Sequence, residues 1–293
     1  MKLKDQDIIP GVVFNNADVL ERGFKLIENS FTMKNISKNI IRLMVAGSIA
    51  FAALFISSVA HAQQAATIKN IVLVHGAFVD GSGWKPVYDI LVSKGYRVSV
   101  VQQPLTSFEA DLAAVKRVLD LQDGPCILVG HSYGGGLITE AGNNSHVAGL
   151  VYIAAHAPDK GESEADNGKR IPPAYKSLQK PADGFDYIDP AQFPADFAGD
   201  LPKKQAEFMA NAQMPTADQV FHAVIQNPAW RTKPSWYMVA KADRIINPDL
   251  ERMYAKRAGS QTVEIEGASH SVFVSHPQEV ARLIIEAAAG PVK

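Results

Sequence analysis

Residues 129–136 read VGHSYGGG, and within them Gly130-His131-Ser132-Tyr133-Gly134 has the form G-x-S-x-G. A serine held among glycines after an apolar run suits three roles: a plain polar turn, a phosphate-cradling loop, or an exposed nucleophile. A phosphate loop needs Gly-Lys-Ser/Thr after its glycines, and that tripeptide does not follow here. The nucleophile role makes its own demand. The motif must follow a strand and open a helix, so that a sharp turn pushes the serine oxygen out of the sheet toward the positive end of the helix. CILV at 126–129 precedes the motif, and LITEA at 137–141 follows it. Side chains at 130 and 134 would collide in such a turn, which accounts for glycine at both. Gly135 and Gly136 read as close helix packing without a chemical role.

A serine hydroxyl is a weak nucleophile at neutral pH until a base removes its proton, and the base needs an acid to orient it. After a strand–turn–helix serine the order is Asp or Glu, then His, each following a strand. Of the eight histidines, His61, His75 and His131 precede the serine, His146 flanks the fourth apolar run, and His156 and His222 lie in or beside a Pro-rich stretch. His270, in EGASH after the last β-rich run, can be carried over the serine by a short loop. His276 precedes Pro277 and reads as a helix-opening residue. The acid is Asp243, in the KAD turn after WYMVA at 236–240; Asp249 reads as a first-turn helix acid. Acyl transfer also needs donors for an oxyanion. The backbone N–H of Tyr133 supplies one and that of Ala77, in HGAF at 75–78, the other, with Phe78 as the alternative. Phe78, Trp84 and Tyr133, with Phe193, Phe197, Phe208 and Phe221, are candidates to line an apolar cavity, though each alone suits ordinary core. No His/Asp/Glu cluster has metal-ligand spacing, and the mechanism needs no metal and no cofactor.

The elements that must hold these residues are visible as alternating patterns. The chain has 293 residues, 47% hydrophobic and 20% charged, with a net charge of −1 and a single cysteine, Cys126. That composition suits a globular domain, gives no electrostatic reason to expect nucleic acid, and excludes an intrachain disulfide. Nearly continuous apolar runs at 68–74, 96–101, 126–129, 147–154, 236–240 and 262–265 predict strands buried on both faces, as a helix-covered parallel sheet requires. Thr106-Ser-Phe-Glu109 resembles a capping box ahead of a helical repeat, and 249–258 and 277–288 predict two later helices. Strand–helix alternation of this kind predicts a doubly wound α/β fold. Ten of the 17 prolines fall between Pro158 and Pro234, with no strand-like run. An insertion at about 157–233 is therefore expected to form a lid, with short helices near 203–212 and 216–226.

The N-terminal region has another character. From Met33 a basic stretch (Lys34, Lys38, Arg42) leads into an uncharged apolar run at 43–60 that ends on Ala60-His61-Ala62. This is the pattern of a signal peptide, cleaved between Ala62 and Gln63; its Ala- and Ser-rich composition favours cleavage over a membrane anchor. Residues 1–32 read as an extension upstream of a true start at Met33, or as a genuine N-terminal tail, residues 33–62 as the leader and 63–293 as one α/β domain. The expected location is periplasmic or secreted, with membrane contact during export alone.

LVHGAFVDGSGW, LVGHSYGG, ADRIINP and GASH, in this order, resemble the α/β-hydrolase superfamily over nearly all of 63–293. Within it the chain is similar to the small lid-bearing group of carboxylic esterases and hydroxynitrile lyases. The resemblance implies a serine hydrolase that cleaves small carboxylic esters, with a small-molecule partner and no nucleic acid. Plant lyases of the group carry Thr and Lys where this chain has Gly76 and Ser271, and cyanide release benefits from that cation. The esterase reading is therefore expected over the lyase reading, or over a ligand-binding protein on a hydrolase scaffold. Oligomeric state is left open by the sequence.

Overall fold

The computed structural model describes residues 67–290, within the compact unit Ala66–Lys293. The expected extension, leader and cleavage point lie outside the described residues. Six parallel strands form the central sheet: β1 (Asn70–Val74), β2 (Arg97–Val100), β3 (Cys126–Ser132), β4 (Val147–Ala155), β8 (Ser235–Ala240) and β9 (Gln261–Ile265). Their order is β2-β1-β3-β4-β8-β9, so the chain reverses its direction across the sheet between β1 and β3. Open α/β sheets bind ligands beyond the carboxyl ends of strands at such a reversal.

Alternation along the strands divides the core into two faces. Ile71 and Leu73 of β1 pack with α1 (Lys85–Ser93), α8 (Val272–Ser275) and α9 (Pro277–Ala289). Val72 and Val74 face α2 (Phe108–Asp120), α3 (Gly134–Ala141) and α7 (Pro248–Ala258). Helix α2 is capped by Ser107, whose hydroxyl accepts from the Ala110 N–H at 3.1 Å, one residue later than the Thr106 box predicts. Helix α7 begins with the Asn247 side chain accepting from Asp249 N–H and ends on Gly259 at φ 63°. Asp249 is exposed in its first turn. Among the described residues no helix is long and apolar enough to cross a membrane.

The insertion between β4 and β8 departs from expectation. It holds α4 (Glu164–Arg170), α5 (Phe193–Asp196) and α6 (Lys203–Asn211), but also an antiparallel sheet of β5 (Leu178–Gln179), β6 (Phe185–Ile188) and β7 (Thr216–Ala217). Stretch 216–226 is thus β7 followed by the 3₁₀ turn Asp218–His222 rather than a helix. Two-residue strands are too short to leave a periodic signal, and β7 finds its partner β6 about 30 residues back along the chain. The insertion is anchored to the loops of the main sheet. Arg244 pairs with Asp196 at 2.9 Å, and the Ala174 and Tyr175 N–H groups donate to the Arg244 carbonyl.

Candidate active site

Strand β3 leaves the sheet at the motif serine. Its pairing with β4 slips between His131 and Ser132, and Ser132 adopts φ 54°, the left-handed region that costs a non-glycine residue energy. Surrounding backbone presses on this turn from several sides. A Cβ at Gly130 would stand 2.6 Å from the Gly134 carbonyl oxygen, and one at Gly134 would stand 2.5 Å from that of His75. At Gly135 it would stand 2.1 Å from the His156 carbonyl oxygen, so this glycine does serve close helix packing.

The turn brings Ser132 to the two partners expected from the sequence. Ser132 Oγ lies 2.8 Å from His270 Nε2, and His270 Nδ1–H donates to Asp243 Oδ2 at 2.5 Å. The other Asp243 oxygen accepts from the Ile245 and Ile246 N–H groups at 2.7 and 3.0 Å, which fixes the carboxylate in its turn after β8. All three side chains are buried. His276 sits apart, with Nδ1 3.5 Å from Asp200 Oδ2.

Two further groups hold His270 in place. His131 Nε2–H donates to the His270 carbonyl at 2.9 Å, and burial, helped by repulsion from His270, keeps the His131 imidazole neutral, far below its ordinary pKa. Phe197 sets its ring edge-on to His270 at 4.7 Å between centroids, while its carbonyl accepts from Ser271 N–H and Ser271 Oγ, both at 3.0 Å. This contact between the insertion and the His270 loop carries no motif, and nothing in the sequence pattern around Phe197 announces it.

The loop after β1 supplies a pair of candidate donors with Tyr133. Phe78 N–H is taken by Thr216 Oγ1 of β7 at 3.1 Å. The N–H groups of Ala77 and Tyr133 make no hydrogen bond among the described residues, and both residues line the cavity that Ser132 opens into. Ala77 is therefore the free donor of the two considered. The Tyr133 side chain is directed elsewhere, its hydroxyl donating to Asp111 Oδ2 at 2.8 Å. Burial raises the pKa of Asp111, and the Tyr133 hydroxyl and Leu105 N–H bonds oppose that rise.

The cavity measures about 250 Å³ and is walled mainly by Phe78, Tyr133, Ile171, Tyr175, Phe221 and Leu250. Lys180 stands at its edge, bridging Asp218 and Asp186. Several aromatic assignments need correction. Trp84 is not a cavity residue: it is fully buried on the opposite face of the sheet, 4.9 Å from the Phe273 ring and edge-on to His131. The 3₁₀ turn Gly81–Trp84 points its ring inward toward Phe273 of α8. Phe193 and Phe197 stack on each other in the core, and Phe208 is 71% exposed on α6. Among the described residues, no group of three or more His, Cys, Asp or Glu side chains could hold a metal ion.

A family model described as the alpha/beta hydrolase family matches residues 71–283. The chain belongs to that family. It is 25% identical over 258 residues to a pyrethroid hydrolase of Sphingobium wenxiniae, an alignment covering 77% of this chain and 89% of the relative. Among solved structures, a pyrethroid hydrolase from Sphingobium faniae superposes with a TM-score of 0.65 at 23% identity, covering 77% of this chain and 99% of that one. Polyneuridine aldehyde esterase gives a TM-score of 0.65 at 19% identity, over 75% and 99% of the two chains. These two likenesses establish the fold, and with the family they bear out the doubly wound α/β architecture expected from the strand pattern.

Proposed function

We propose that this α/β-hydrolase cleaves small carboxylic esters through an acyl-enzyme on Ser132. The observation that carries the reading is the continuous hydrogen-bond chain Ser132–His270–Asp243, opening into a mainly apolar cavity. His270 takes the Ser132 proton as the oxygen attacks the ester carbonyl, and Asp243 orients the imidazole and stabilises its cation. The N–H groups of Ala77 and Tyr133 receive the negative oxygen. Collapse of the tetrahedral intermediate expels the alcohol with a proton from His270, and water repeats the sequence on the acyl group. A cavity of about 250 Å³ falls at the small end of ligand sites, which favours short acyl and alcohol groups. Relatives named for ester substrates support the same chemistry.

The lyase alternative is disfavoured by one packing detail. A Cβ at Gly76 would stand 2.7 Å from Ser132 Cβ and 3.0 Å from His131 Nδ1, so a threonine there would require the loop and the serine turn to separate. The test is hydrolysis of p-nitrophenyl acetate and butyrate by the wild type and by Ser132→Ala. The variant is expected to lose at least about a thousandfold in kcat. Equal rates for the two proteins would overturn the proposal. We further propose that the chain acts after export, in the periplasm or outside the cell, on the strength of the pattern at 33–62.

A further inference from the structure

The Ala77 N–H proposed for the oxyanion is flanked by a strained residue. Phe78, next in the chain, adopts φ 63°, the left-handed region that a bulky aromatic residue enters only under constraint. Its N–H donates to the Thr216 hydroxyl oxygen at 3.1 Å, and among the described residues it has no other acceptor. Thr216 is fully buried, and its own hydroxyl proton goes to the Met214 carbonyl at 3.2 Å. A lone pair is therefore left facing Phe78.

Thr216 is anchored well enough to impose this conformation. It lies in β7, opposite Asp186 of β6, and the next residue ties the strand to the main sheet's loops: Ala217 N–H donates to the Leu105 carbonyl at 2.9 Å. At the other end of the same loop, the Gln103 side-chain amide donates to the His75 carbonyl at 2.5 Å. The backbone from His75 to Phe78 is thus gripped on both sides, and the free Ala77 N–H stands between the grips.

A bond between segments so far apart could simply fasten the insertion. Other contacts already do that, among them Gln219 Nε2–H to the Thr106 carbonyl at 2.9 Å and the Arg244–Asp196 pair. The Thr216 bond differs from these in its target. It holds the one strained residue beside the free donor, and it occupies the N–H that would otherwise compete with that of Ala77.

We propose that Thr216 is a positioning residue for the oxyanion site: by holding Phe78 in the left-handed conformation, it aims the N–H of Ala77. The inference rests on the ester-hydrolase reading of Ser132. Without the hydroxyl, the Phe78 N–H is buried and unmatched, and nothing keeps φ positive. A change of φ at Phe78 turns the Ala77–Phe78 peptide and displaces the N–H one residue earlier.

The test compares the wild type with three variants of the full chain. Thr216→Val keeps the shape and loses the acceptor, Thr216→Ser keeps the hydroxyl, and Gln219→Ala removes a fastening bond only. Thr216→Ala stands in reserve should the valine variant misfold. Rates on p-nitrophenyl butyrate are expressed per serine titrated with diethyl p-nitrophenyl phosphate, so that unfolded protein does not count. Inhibition by butane-1-boronic acid reports the oxyanion site separately, because its adduct with Ser132 is tetrahedral and anionic.

Thr216→Val is expected to lose about 10- to 100-fold in kcat, with KM within about twofold of wild type, because both tetrahedral intermediates need the donor. The Ki for the boronic acid should rise at least about tenfold in the same variant. Thr216→Ser and Gln219→Ala should stay within about threefold of wild type in both measures. A merely structural Thr216 would lower Tm and the titratable fraction while leaving kcat per serine and Ki alone, and that result overturns the inference. It is equally overturned if Thr216→Ser or Gln219→Ala falls as far as Thr216→Val, or if neither apolar variant folds, which would assign Thr216 to stability instead. A wild type that cleaves no ester would overturn the hydrolase reading.

Discussion

Gly134→Ala isolates the close approach between the serine turn and the end of β1. The added methyl would lie 2.5 Å from the His75 carbonyl oxygen and 2.9 Å from that of Val74. Ordinary carbon–oxygen contact needs about 3.4 Å, so the two segments must part by roughly 0.5–1 Å. Both obstacles are backbone, and no rotamer change relieves them. Alanine gains about 1 kcal/mol of helix propensity over glycine at the start of α3, while forced overpacking costs about 1–3 kcal/mol. The gain offsets only the low end of that cost, leaving up to about 2 kcal/mol, and a fall in Tm of up to about 8 °C is expected for a domain of this size. Activity should suffer more than stability. The displaced segment runs directly into Ala77, two residues beyond His75, and a shift approaching 1 Å in a catalytic donor costs about a hundredfold. Steady-state kinetics on p-nitrophenyl butyrate should show the loss in kcat, with KM changed little because the insertion walls are untouched. Gly124→Ala is the control: its nearest neighbour would be the Asn70 side chain at 3.9 Å, which is ordinary contact. If Gly134→Ala matches Gly124→Ala in Tm and kcat, the argument from backbone proximity is refuted.

Two more outcomes follow from the chain and its buried groups. His75 is fully buried, donates through Nδ1–H to the Gly76 carbonyl at 2.8 Å, and is pushed down to about 4 by burial. An unfolded histidine titrates near 6.5, so between about 4 and 6.5 the unfolded chain binds a proton here that the folded chain does not. The His75 contribution is whole above pH 6.5 and is lost as pH falls toward 4. His75→Gln should flatten the acid limb of urea-derived stability between pH 5 and 6.5 by up to about 1.4 kcal/mol per pH unit; an unchanged slope would contradict this. The second concerns export: N-terminal sequencing of the protein recovered from outside the cytoplasm should begin at Gln63, and a start at Met1 or Met33 would exclude cleavage at Ala62.

The three side chains that meet at the proposed site are legible in the sequence because each sits at a position with a local signature. Ser132 follows a β-rich run and is hemmed by glycines; Asp243 and His270 close the turns after the last two strands, in the order the chemistry requires. The choice of Ala77 over Phe78 looks equally local, yet its reason is distant: Thr216, far along the chain, occupies the Phe78 N–H. The aromatic residues show the limit of composition. Phe78, Trp84, Phe193, Phe197, Phe208 and Phe221 are alike as large apolar rings. Which of them faces the cavity, the core or water depends on tertiary packing, of the insertion for most of them and of the sheet's far face for Trp84.

By itself the sequence determined what backbone propensity and side-chain periodicity encode over short spans: the parallel sheet, the flanking helices, the strained serine turn, and the order of Ser132, Asp243 and His270 along the chain. Tertiary structure alone decided what depends on contacts between distant segments. It folded the Pro-rich insertion partly into a sheet of very short strands, set Phe197 against His270, and sent Trp84 to the far side of the sheet. It also placed Glu164 beside Gly136 and the Thr216 hydroxyl beside the Phe78 N–H. The physical reason is range. A turn or a strand is specified by neighbours in the chain, whereas burial and hydrogen bonds between remote segments are properties of the packed whole.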